Sequence, residues 1–418
     1  MSKGDFGMKE LRNVPQLRFS GFNDEWEEKK LNDYLEPSKQ KNFDNNYSKN
    51  DVLSVSGEFG IVNQIEFQGR SFAGEFVDNY GVVETNDIVY TKSPLNANPY
   101  GIIKNNFGKA GIVSTLYAVY KAKQNVDSGF VQTYFDLDKR LNDYLRPLVR
   151  KGAKNDMKVS SSDALLGSVI FPSKSEQQKI GSLLSLVDSL IQAKTKKLES
   201  LKAVKKSLLQ KCFPKADRKV PEMRFAGFNG NWDENEIKTF ATVKDGTHAT
   251  YSRVEKGYLL LSAKNVLDNE LYISNDESFV SESDYNVITA NGFPQIGDIL
   301  LSCVGSIGRC CIFNTEEKIA FQRSVIFIRT NVIDKQFLVS SFQAEYVQNQ
   351  ISMYINASTI GGLYIGAVEG LSIKYPSLTE QQKIGQFFSK YDSLICAHQK
   401  EINKLKDIKK SLLQKMFV

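Results

Sequence analysis

The sequence has few of the residues that build metal sites, disulfide frameworks and imidazole-dependent active sites. Its 418 residues include five cysteines and two histidines. The cysteines show no repeated spacing, and Cys310 and Cys311 are adjacent rather than spaced as C-x-x-C, so neither a disulfide framework nor a zinc site is predicted. We expect the cysteines to be small buried apolar residues. With only His248 and His398 available, catalysis that depends on an imidazole is nearly excluded.

Long apolar runs are also missing. The segment GDILLSCVG at residues 297–305 is far shorter than the roughly 18 to 20 residues that span a bilayer, and the first ten residues, MSKGDFGMKE, lack the apolar core of a signal peptide. The sequence therefore predicts a cytoplasmic protein. At 418 residues the chain exceeds one ordinary hydrophobic core, so two domains are expected.

Positive charge is abundant but unevenly distributed. The formal net charge is +6, which is compatible with a polyanionic partner. Residues 176–212 hold eight lysines against three acidic residues, and residues 380–416 hold eight against four, so these stretches contribute +5 and +4. The rest of the chain sums to −3, so any nucleic-acid surface there must depend on local placement of Lys and Arg.

The two Lys-rich stretches are copies of each other. Both begin with EQQKIG, at residues 176–181 and 380–385, and an ungapped alignment of 176–212 with 380–416 has 22 identities in 37 positions. A leading motif is repeated as well, as VPQLRFSGFNDEW at 14–26 and VPEMRFAGFNGNW at 220–232. The chain is therefore one unit of leading motif, domain and Lys-rich stretch written twice.

Apolar residues in both stretches recur at spacings of four and three, which predicts two long helices with coiled-coil seams. The predicted seam consists of Ile180, Leu184, Val187, Ile191, Leu198, Leu201 and Leu208 in the first helix, and of Ile384, Phe388, Tyr391, Ile395, Ile402, Leu405 and Leu412 in the second. The spacing of Ser175 with Gln178, and of Thr379 with Gln382, predicts a capping box at each helix start.

Each helix would run about 55 Å at 1.5 Å per residue, and so long a seam needs a partner. We expect the two copies to pair antiparallel about a pseudo-two-fold axis, which would carry the two domains to opposite ends. The seam is interrupted at Lys194, Lys205, His398 and Lys409. These polar residues would set the register, extend along the seam edge to reach solvent, or admit a further subunit.

The regions between the repeated segments share little identity, yet both are rich in short β-type runs separated by Gly, Asn and Asp. The prediction is an α/β (α+β) fold with a curved sheet in each domain, and the strand order is left open. The predicted boundaries are 1–174 for the first domain, 175–213 for the first helix, 214–378 for the second domain and 379–418 for the second helix.

This layout resembles the specificity subunit of type I restriction-modification systems. The stretches that carry the resemblance are VPEMRF, GFNGNW, GDILLS with GSIG, and SLTEQQKIGQFF, and it extends over essentially the whole chain. The resemblance implies a non-catalytic DNA-binding subunit with two target-recognition domains, each reading one half of an asymmetric bipartite site. The helices would set the spacing of the half-sites. A duplicated frame with two unlike interiors agrees with this, since half-site spacing mirrors protein symmetry.

The same resemblance implies partners that supply the chemistry. Two adenine-N6 methyltransferase subunits, which use S-adenosylmethionine, would dock on the helices. ATP-driven translocase-endonuclease subunits, with Mg²⁺, would join to cut unmethylated DNA. No cofactor or metal is expected in this chain itself.

Two other classes of protein fit parts of the sequence. In the first, the chain would be a methyltransferase or nuclease itself, but Asn98-Pro99-Tyr100 lacks the second proline of an amino-methyltransferase motif, and Glu316-Glu317-Lys318 is only half of a nuclease motif. GSIGR at 305–309 lacks the Lys-Ser/Thr ending of a phosphate-binding loop. In the second, a coiled-coil adaptor without DNA contact would explain the helices but not two elaborate domains with polar loops.

DNA contacts call for Arg, Lys, Asn, Gln, Ser and Thr on loops or helix ends. The first domain offers such residues in two turn-rich segments, and the second domain offers them in four. The candidates are Lys92, Ser93, Asn96, Asn98, Tyr100, Lys104, Lys151 and Lys154 in the first domain, and Thr247, His248, Tyr251, Arg253, Ser262, Lys264, Asn265, Ser306, Arg309, Gln322 and Arg323 in the second.

Overall fold

The computed structural model describes residues 13–95, 97–151, 157–357 and 361–418. The chain divides into two compact units, one formed by Met1–Lys194 with Glu401–Val418 and the other by Thr195–Lys400. Each unit therefore contains part of both long helices. Among the described residues, no helix combines the length and the apolar character needed to cross a membrane.

The first unit contains a four-stranded antiparallel sheet. Before the first long helix its elements are β1 (Glu27–Lys30), β2 (Leu35–Pro37), β3 (Leu53–Ser56), β4 (Gly60–Asn63), α1 (Gln64–Gln68), β5 (Gly81–Val83), β6 (Ile88–Thr91), β7 (Ile103–Asn105), β8 (Gly111–Val113), β9 (Tyr117–Ala122), α2 (Ser128–Phe135), α3 (Asp138–Leu145), β10 (Arg150–Lys151), β11 (Met157–Lys158) and β12 (Ser168–Phe171). The sheet has the order β2-β9-β6-β7. Strand β1 pairs with β12 just before the long helix.

The second unit repeats the order of this four-stranded sheet. Its elements, with the two long helices, are α4 (Lys174–Cys212), β13 (Asp233–Glu236), β14 (Ala241–Asp245), β15 (Tyr258–Leu261), β16 (Val266–Leu267), β17 (Glu270–Leu271), β18 (Ser278–Val280), α5 (Glu282–Ile288), β19 (Ile299–Ser302), β20 (Cys310–Ile312), β21 (Ile319–Phe321), β22 (Val325–Thr330), α6 (Lys335–Phe342), α7 (Glu345–Ala357), α8 (Ile365–Glu369), β23 (Ser372–Tyr375) and α9 (Leu378–Lys415). The sheet β14-β22-β19-β20 has the same antiparallel order, and β13 pairs with β23. The expected mixed fold with an internal repeat is confirmed.

The two long helices α4 and α9 are present, but they begin earlier than predicted. Ser175 and Thr379 lie within their first turns, so the predicted capping boxes are wrong. The carbonyl groups of Ser173 and Ser377, two residues earlier, accept the first helical hydrogen bonds. A serine preceding each helix therefore marks the helix start.

In the first unit the two helices run antiparallel, as predicted. Lys409 of α9 lies 2.8 Å from the Asp188 carboxylate of α4, and Lys194 lies 2.6 Å from Glu401, so residue numbers rise along one helix as they fall along the other. Lys409 also lies 3.0 Å from Asp136, which ends α2. Burial opposes the charge of Lys409, but the two carboxylates outweigh it and raise the pKa of this lysine.

The second unit has the equivalent arrangement. Lys205 of α4 is buried and bonds to Asp392 of α9 and to Gln343, which ends α6. Lys205 therefore faces inward instead of extending to solvent. Of the three roles considered for the polar seam residues, these contacts favour setting the register.

The glutamate of each EQQKIG copy binds the leading motif. Arg18 donates two hydrogen bonds of 2.7 and 2.8 Å to the buried carboxylate of Glu176. Arg224 makes the same pair of bonds, 2.7 and 2.8 Å long, to Glu380. A planar guanidinium matches a carboxylate with two parallel bonds, so each leading motif is fixed to the start of its helix.

The first glutamine of the motif connects the helix to the α/β domain. The Gln177 side chain accepts a hydrogen bond from the backbone of Asp127 at 2.9 Å and donates one to the carbonyl of Pro172 at 2.9 Å. Gln381 makes the same two bonds in the second unit. Both glutamines are buried and hydrogen-bonded through the oxygen and the nitrogen of the side-chain amide, which explains why both copies keep them.

The last three residues of EQQKIG complete this connection. Lys179 lies over the ring of Phe22, 5.0 Å from its centre, and Ile180 is buried in the core. Gly181 faces the first turn of α2, where an added Cβ would lie 3.2 Å from the backbone nitrogen of Phe130. The second copy has equivalent contacts. Five of the six repeated residues thus join leading motif, helix and α/β domain in each unit.

The tryptophan of each leading motif packs against the end of a long helix. Trp26 contacts Phe130 and Phe417, with ring centres 6.2 and 6.1 Å apart. Trp232 contacts Phe213 and Phe337 at 5.9 and 5.8 Å. Packing of these buried rings adds to the apolar burial, so each tryptophan fixes its leading motif to the core of its unit.

Candidate nucleic-acid interface

In the second unit, the polar segments predicted from sequence meet at the turn 322–324 between β21 and β22. The Arg323 amide donates to the Thr247 carbonyl at 3.0 Å, and the Cys303 amide donates to the Ser324 carbonyl at 3.0 Å. The Ser324 hydroxyl accepts from the Ala263 amide at 3.0 Å. These bonds join the loop 246–253, the SAKN segment and the 303–309 loop into one cluster, which we call the loop hub.

The loop hub is tightly packed. A Cβ on Gly246 would lie 2.3 Å from the carbonyl oxygens of both Phe321 and Gln322, so no other residue fits there without displacing the backbone. Burial, then the charge of Asp245, raises the pKa of the Cys303 thiol to about 11, so the thiol stays protonated at neutral pH. It donates a hydrogen bond of 3.3 Å to the carbonyl of Arg323.

The SAKN segment is engaged in internal bonds. Lys264 lies 3.0 Å from the carboxylate of Glu277, and the buried Asn265 donates to that carboxylate at 2.7 Å. Burial opposes ionisation of Glu277, but hydrogen bonds from Ser274, Lys264 and Asn265 outweigh it and lower its pKa to about 2. The amide of Ser262 donates to the Asn265 side chain at 2.9 Å. These contacts stabilise the loop from within.

The other candidates of the second unit differ in the exposure of their side chains and in whether a carboxylate pairs with them. His248 lies 2.7 Å from Asp245, and the half-buried Tyr251 packs beside the small cluster that contains Val280. Thr247 is half-buried and pairs with the backbone of Gln322. His248 and Lys264 are exposed but paired with carboxylates, and the exposed candidates without such a partner in the described part of the chain are Arg253, Ser306, Arg309, Gln322 and Arg323. Among the described residues, none of these three arginines has a carboxylate partner within 4 Å.

The first unit brings together fewer of the predicted residues. Lys92 is half-buried, with its amino group 3.4 Å from the Ser161 hydroxyl, and Ser93 beside it is exposed. Burial, and then the nearby charge of Lys41, lower the pKa of Lys92. Sequence reasoning missed Lys41, which follows β2 as the DGTH segment follows β14. Comparing the two repeats strand by strand would have found it.

Three first-unit candidates are used inside the fold. Asn98 is buried and donates to Asp138 at 2.8 Å, and Lys104 forms a 2.7 Å ion pair with Asp136. Tyr100 is half-buried and packs against the main core. Asn96 and Lys154, and the side chain of Lys151, lie outside the described residues. DNA contact by any of the candidates stays a prediction.

All fourteen predicted seam residues are at least partly covered. Six of them are buried, namely Ile180, Leu184, Leu198, Ile384, Phe388 and Ile402. The other eight are half-buried, namely Val187, Ile191, Leu201, Leu208, Tyr391, Ile395, Leu405 and Leu412.

The segments that partly match catalytic motifs lie in connections between strands. Glu316, Glu317 and Lys318 are exposed in the turn before β21. The GSIGR loop connects β19 to β20, and its Arg309 amide donates to the hydroxyl of Ser302 at 3.0 Å. Within the described ranges, no group of three or more His, Cys, Asp or Glu residues is arranged to hold a metal ion.

The fold defines a class of protein with a duplicated α/β frame and antiparallel long helices. Residues 229–407 match the family model described as the type I restriction modification DNA specificity domain. The chain is 26% identical over 257 residues to the type I restriction enzyme MjaVIII specificity subunit of Methanocaldococcus jannaschii, an alignment that covers 58% of this chain and 59% of that relative.

A solved structure extends the likeness to the whole chain. The S subunit of a type I restriction-modification system from M. genitalium superposes with a TM-score of 0.62 and 15% identity, covering 97% of this chain and 99% of that chain. At this identity the likeness concerns the fold. Together with the family match, it confirms the resemblance to type I specificity subunits.

Proposed function

We propose that the chain is the DNA-recognition subunit of a type I restriction-modification complex. Each unit would read one half of a bipartite target, and the chain would carry out no catalysis itself. The observation that carries this proposal is a pair of equivalent frames whose loops hold different polar residues.

The loops support unlike half-sites. In the second unit the exposed side chains of the loop hub include Arg309, Gln322 and Arg323, whereas the equivalent edge of the first unit has Lys41 and Lys92. Arg and Gln pair with particular base edges, while lysine acts as a point charge. We therefore expect an asymmetric target.

The helices also offer matched apolar positions for methyltransferase subunits. Leu190 and Ile408 are 43% and 42% exposed in the first unit, and Leu394 and Val204 are 44% and 47% exposed in the second. The antiparallel register places the two residues of each pair at the same level of the helix pair. One such apolar pair in each unit fits two identical methyltransferases, which would bring S-adenosylmethionine. Restriction subunits, with ATP and Mg²⁺, would join these.

The same helices would set the distance between half-sites. They contain 39 and 38 residues, which correspond to about 57 Å at 1.5 Å per residue. Ion pairs between α4 and α9 in both units make this register definite.

The alternatives have less support. A catalytic role of Asn98 in a methyltransferase would need its side chain at an accessible surface, but the side chain is buried and bonds to Asp138. An adaptor that does not bind DNA leaves the loop hub, with its unpaired exposed arginines, without a role.

Co-purification from the native host followed by methylome sequencing tests the proposal. The expected result is an associated adenine methyltransferase and a split, asymmetric methylated motif. DNA binding by the complex should fall steeply with salt, with a log–log slope of about 0.9 per phosphate contact. Methylation by the chain alone, or binding that is insensitive to salt, would contradict it.

A further inference from the structure

We propose that Arg323 reads a guanine in the half-site recognised by the second unit. This inference rests on the proposed function and adds to it the base type and the residue that selects it. It follows from the position of Arg323 in the loop hub, from its unpaired charge and from the geometry of its side chain.

Arg323 has its backbone fixed on both sides. Its amide donates to Thr247 at 3.0 Å, its carbonyl accepts from the Cys303 thiol at 3.3 Å, and the next residue, Ser324, accepts from the amide of Cys303 and from the SAKN segment. Gly246 packs directly against the preceding carbonyls. Only the side-chain torsions of Arg323 remain free, so little backbone entropy would be lost when it meets a base.

The charge of Arg323 is available, unlike that of Lys264. Lys264 is neutralised by Glu277 at 3.0 Å, and the nearby Asp245 carboxylate is taken by His248 at 2.7 Å. Arg323 is exposed and has no carboxylate within ion-pair distance among the described residues. Of the loop-hub cations it is the one whose backbone bonds most closely to the neighbouring loops.

Guanine fits this side chain better than other bases do. Its O6 and N7 are adjacent acceptors on the major-groove edge, and the guanidinium presents two parallel donors at matching separation. A phosphate also accepts two such bonds, but phosphate contacts tolerate mobile side chains at the rim of an interface and carry no sequence information. A rigid position at the meeting point of several loops favours base reading.

The test compares Arg323→Ala and Arg323→Gln in the complex with its native methyltransferase, using methylome sequencing and rates on oligonucleotides substituted at each position. Arg323→Ala should reduce discrimination at a single guanine of one half-site by about 10- to 100-fold and leave the other half-site unchanged. Arg323→Gln should shift preference at that position towards adenine, which glutamine pairs with. Arg218→Ala, an exposed arginine of the same unit outside the loop hub, serves as the control and should leave the motif intact.

Three outcomes would overturn the inference. The first is an unchanged motif with uniformly weaker methylation, which indicates a phosphate contact. The second is an unchanged motif methylated at an unchanged rate. The third is a wild-type motif that has no guanine in the half-site of the second unit. Recovery of the methyltransferase with each variant shows that the chain has folded. Failure of the wild-type complex to methylate a split motif would instead reject the proposed function, and this inference with it.

Discussion

Gly181 and Gly385 occupy the same place in the two EQQKIG copies, but the space beside them differs. An added Cβ would lie 2.7 Å from both the Asp334 carboxylate and the Phe337 amide at Gly385, and no closer than 3.2 Å to any atom at Gly181. Asp334 accepts the N-cap hydrogen bond of α6, so Gly385→Ala should cost about 0.5 to 2 kcal/mol. Thermal unfolding should show a larger loss for Gly385→Ala than for Gly181→Ala. Equal losses would contradict the contact described.

The buried carboxylate of Glu277 predicts a pH-dependent contribution to stability. Its pKa in the folded protein is about 2, below the ordinary value of 4.5. Its ionised interactions therefore contribute fully above about pH 5, and the contribution disappears as the pH falls towards 2. The difference in Tm between the protein and Glu277→Gln should shrink over this range. With the exposed Glu317→Gln as the control, a difference independent of pH would refute the prediction.

The sequence could not separate exposed from buried polar residues. Asn98, Lys104 and Asn265 lie in turn-rich segments, as Gln322 and Arg323 do. Residue type alone therefore predicts a DNA contact equally for all of them. Their partners lie in other elements, as Asp136 does 32 residues after Lys104 and Glu277 does 12 residues after Asn265. Only the fold brings these groups together, so the sequence identified the loops but not the free side chains.

At the scale of elements, the ion pair between Lys205 and Asp392 is predicted to set the helix register. Removing one partner from a buried pair leaves an uncompensated charge, so Lys205→Met should cost about 3 to 5 kcal/mol. The double variant Lys205→Met, Asp392→Leu should regain most of that loss. Denaturant unfolding measures the cycle.

The control is the exposed pair Lys202–Glu199 on the same helix. Lys202→Met should change stability by no more than about 1 kcal/mol, because exposed pairs contribute little. Strict additivity of the two changes at Lys205 and Asp392 would show that the pair is not coupled.

The apolar positions on the helices can be tested separately from the loops. Leu190→Asp with Ile408→Asp should reduce the number of bound methyltransferases from two to one, because charged residues would face an apolar partner surface. Native mass spectrometry of the purified complex measures this. Leu166→Asp, at a position of matching 43% exposure outside the helices, is the control. Two bound methyltransferases in the helix variant would disprove the docking site.

Among the elements, periodic repeats were predicted best. The long helices follow from duplicated apolar spacing, and their bounds differ from prediction by one to three residues. The run GIVNQIEF at residues 60–67, which has the composition of a single β-type run, is instead divided between β4 and α1, because Asn63 ends β4 and caps α1 by accepting from the amides of Ile65 and Glu66. Short irregular runs depend on such local bonds and on tertiary pairing, which apolar spacing does not reveal.

For the whole molecule, the central claim is that two equivalent frames hold two domains, each of which recognises its half-site independently of the other. The frames share the strand order of the four-stranded sheet, the paired hydrogen bonds between arginine and glutamate and the packing of the tryptophan, while the loops differ. One α/β domain held by such a frame should therefore be exchangeable for another without changing the half-site that the other domain recognises.

The most direct measurement is methylome sequencing of a complex in which residues 27–174 are replaced by the corresponding segment of another specificity subunit. The account predicts that one half-site of the methylated motif changes while the other half-site and the gap between them stay the same. A change in both half-sites, or a motif that does not change, would contradict it.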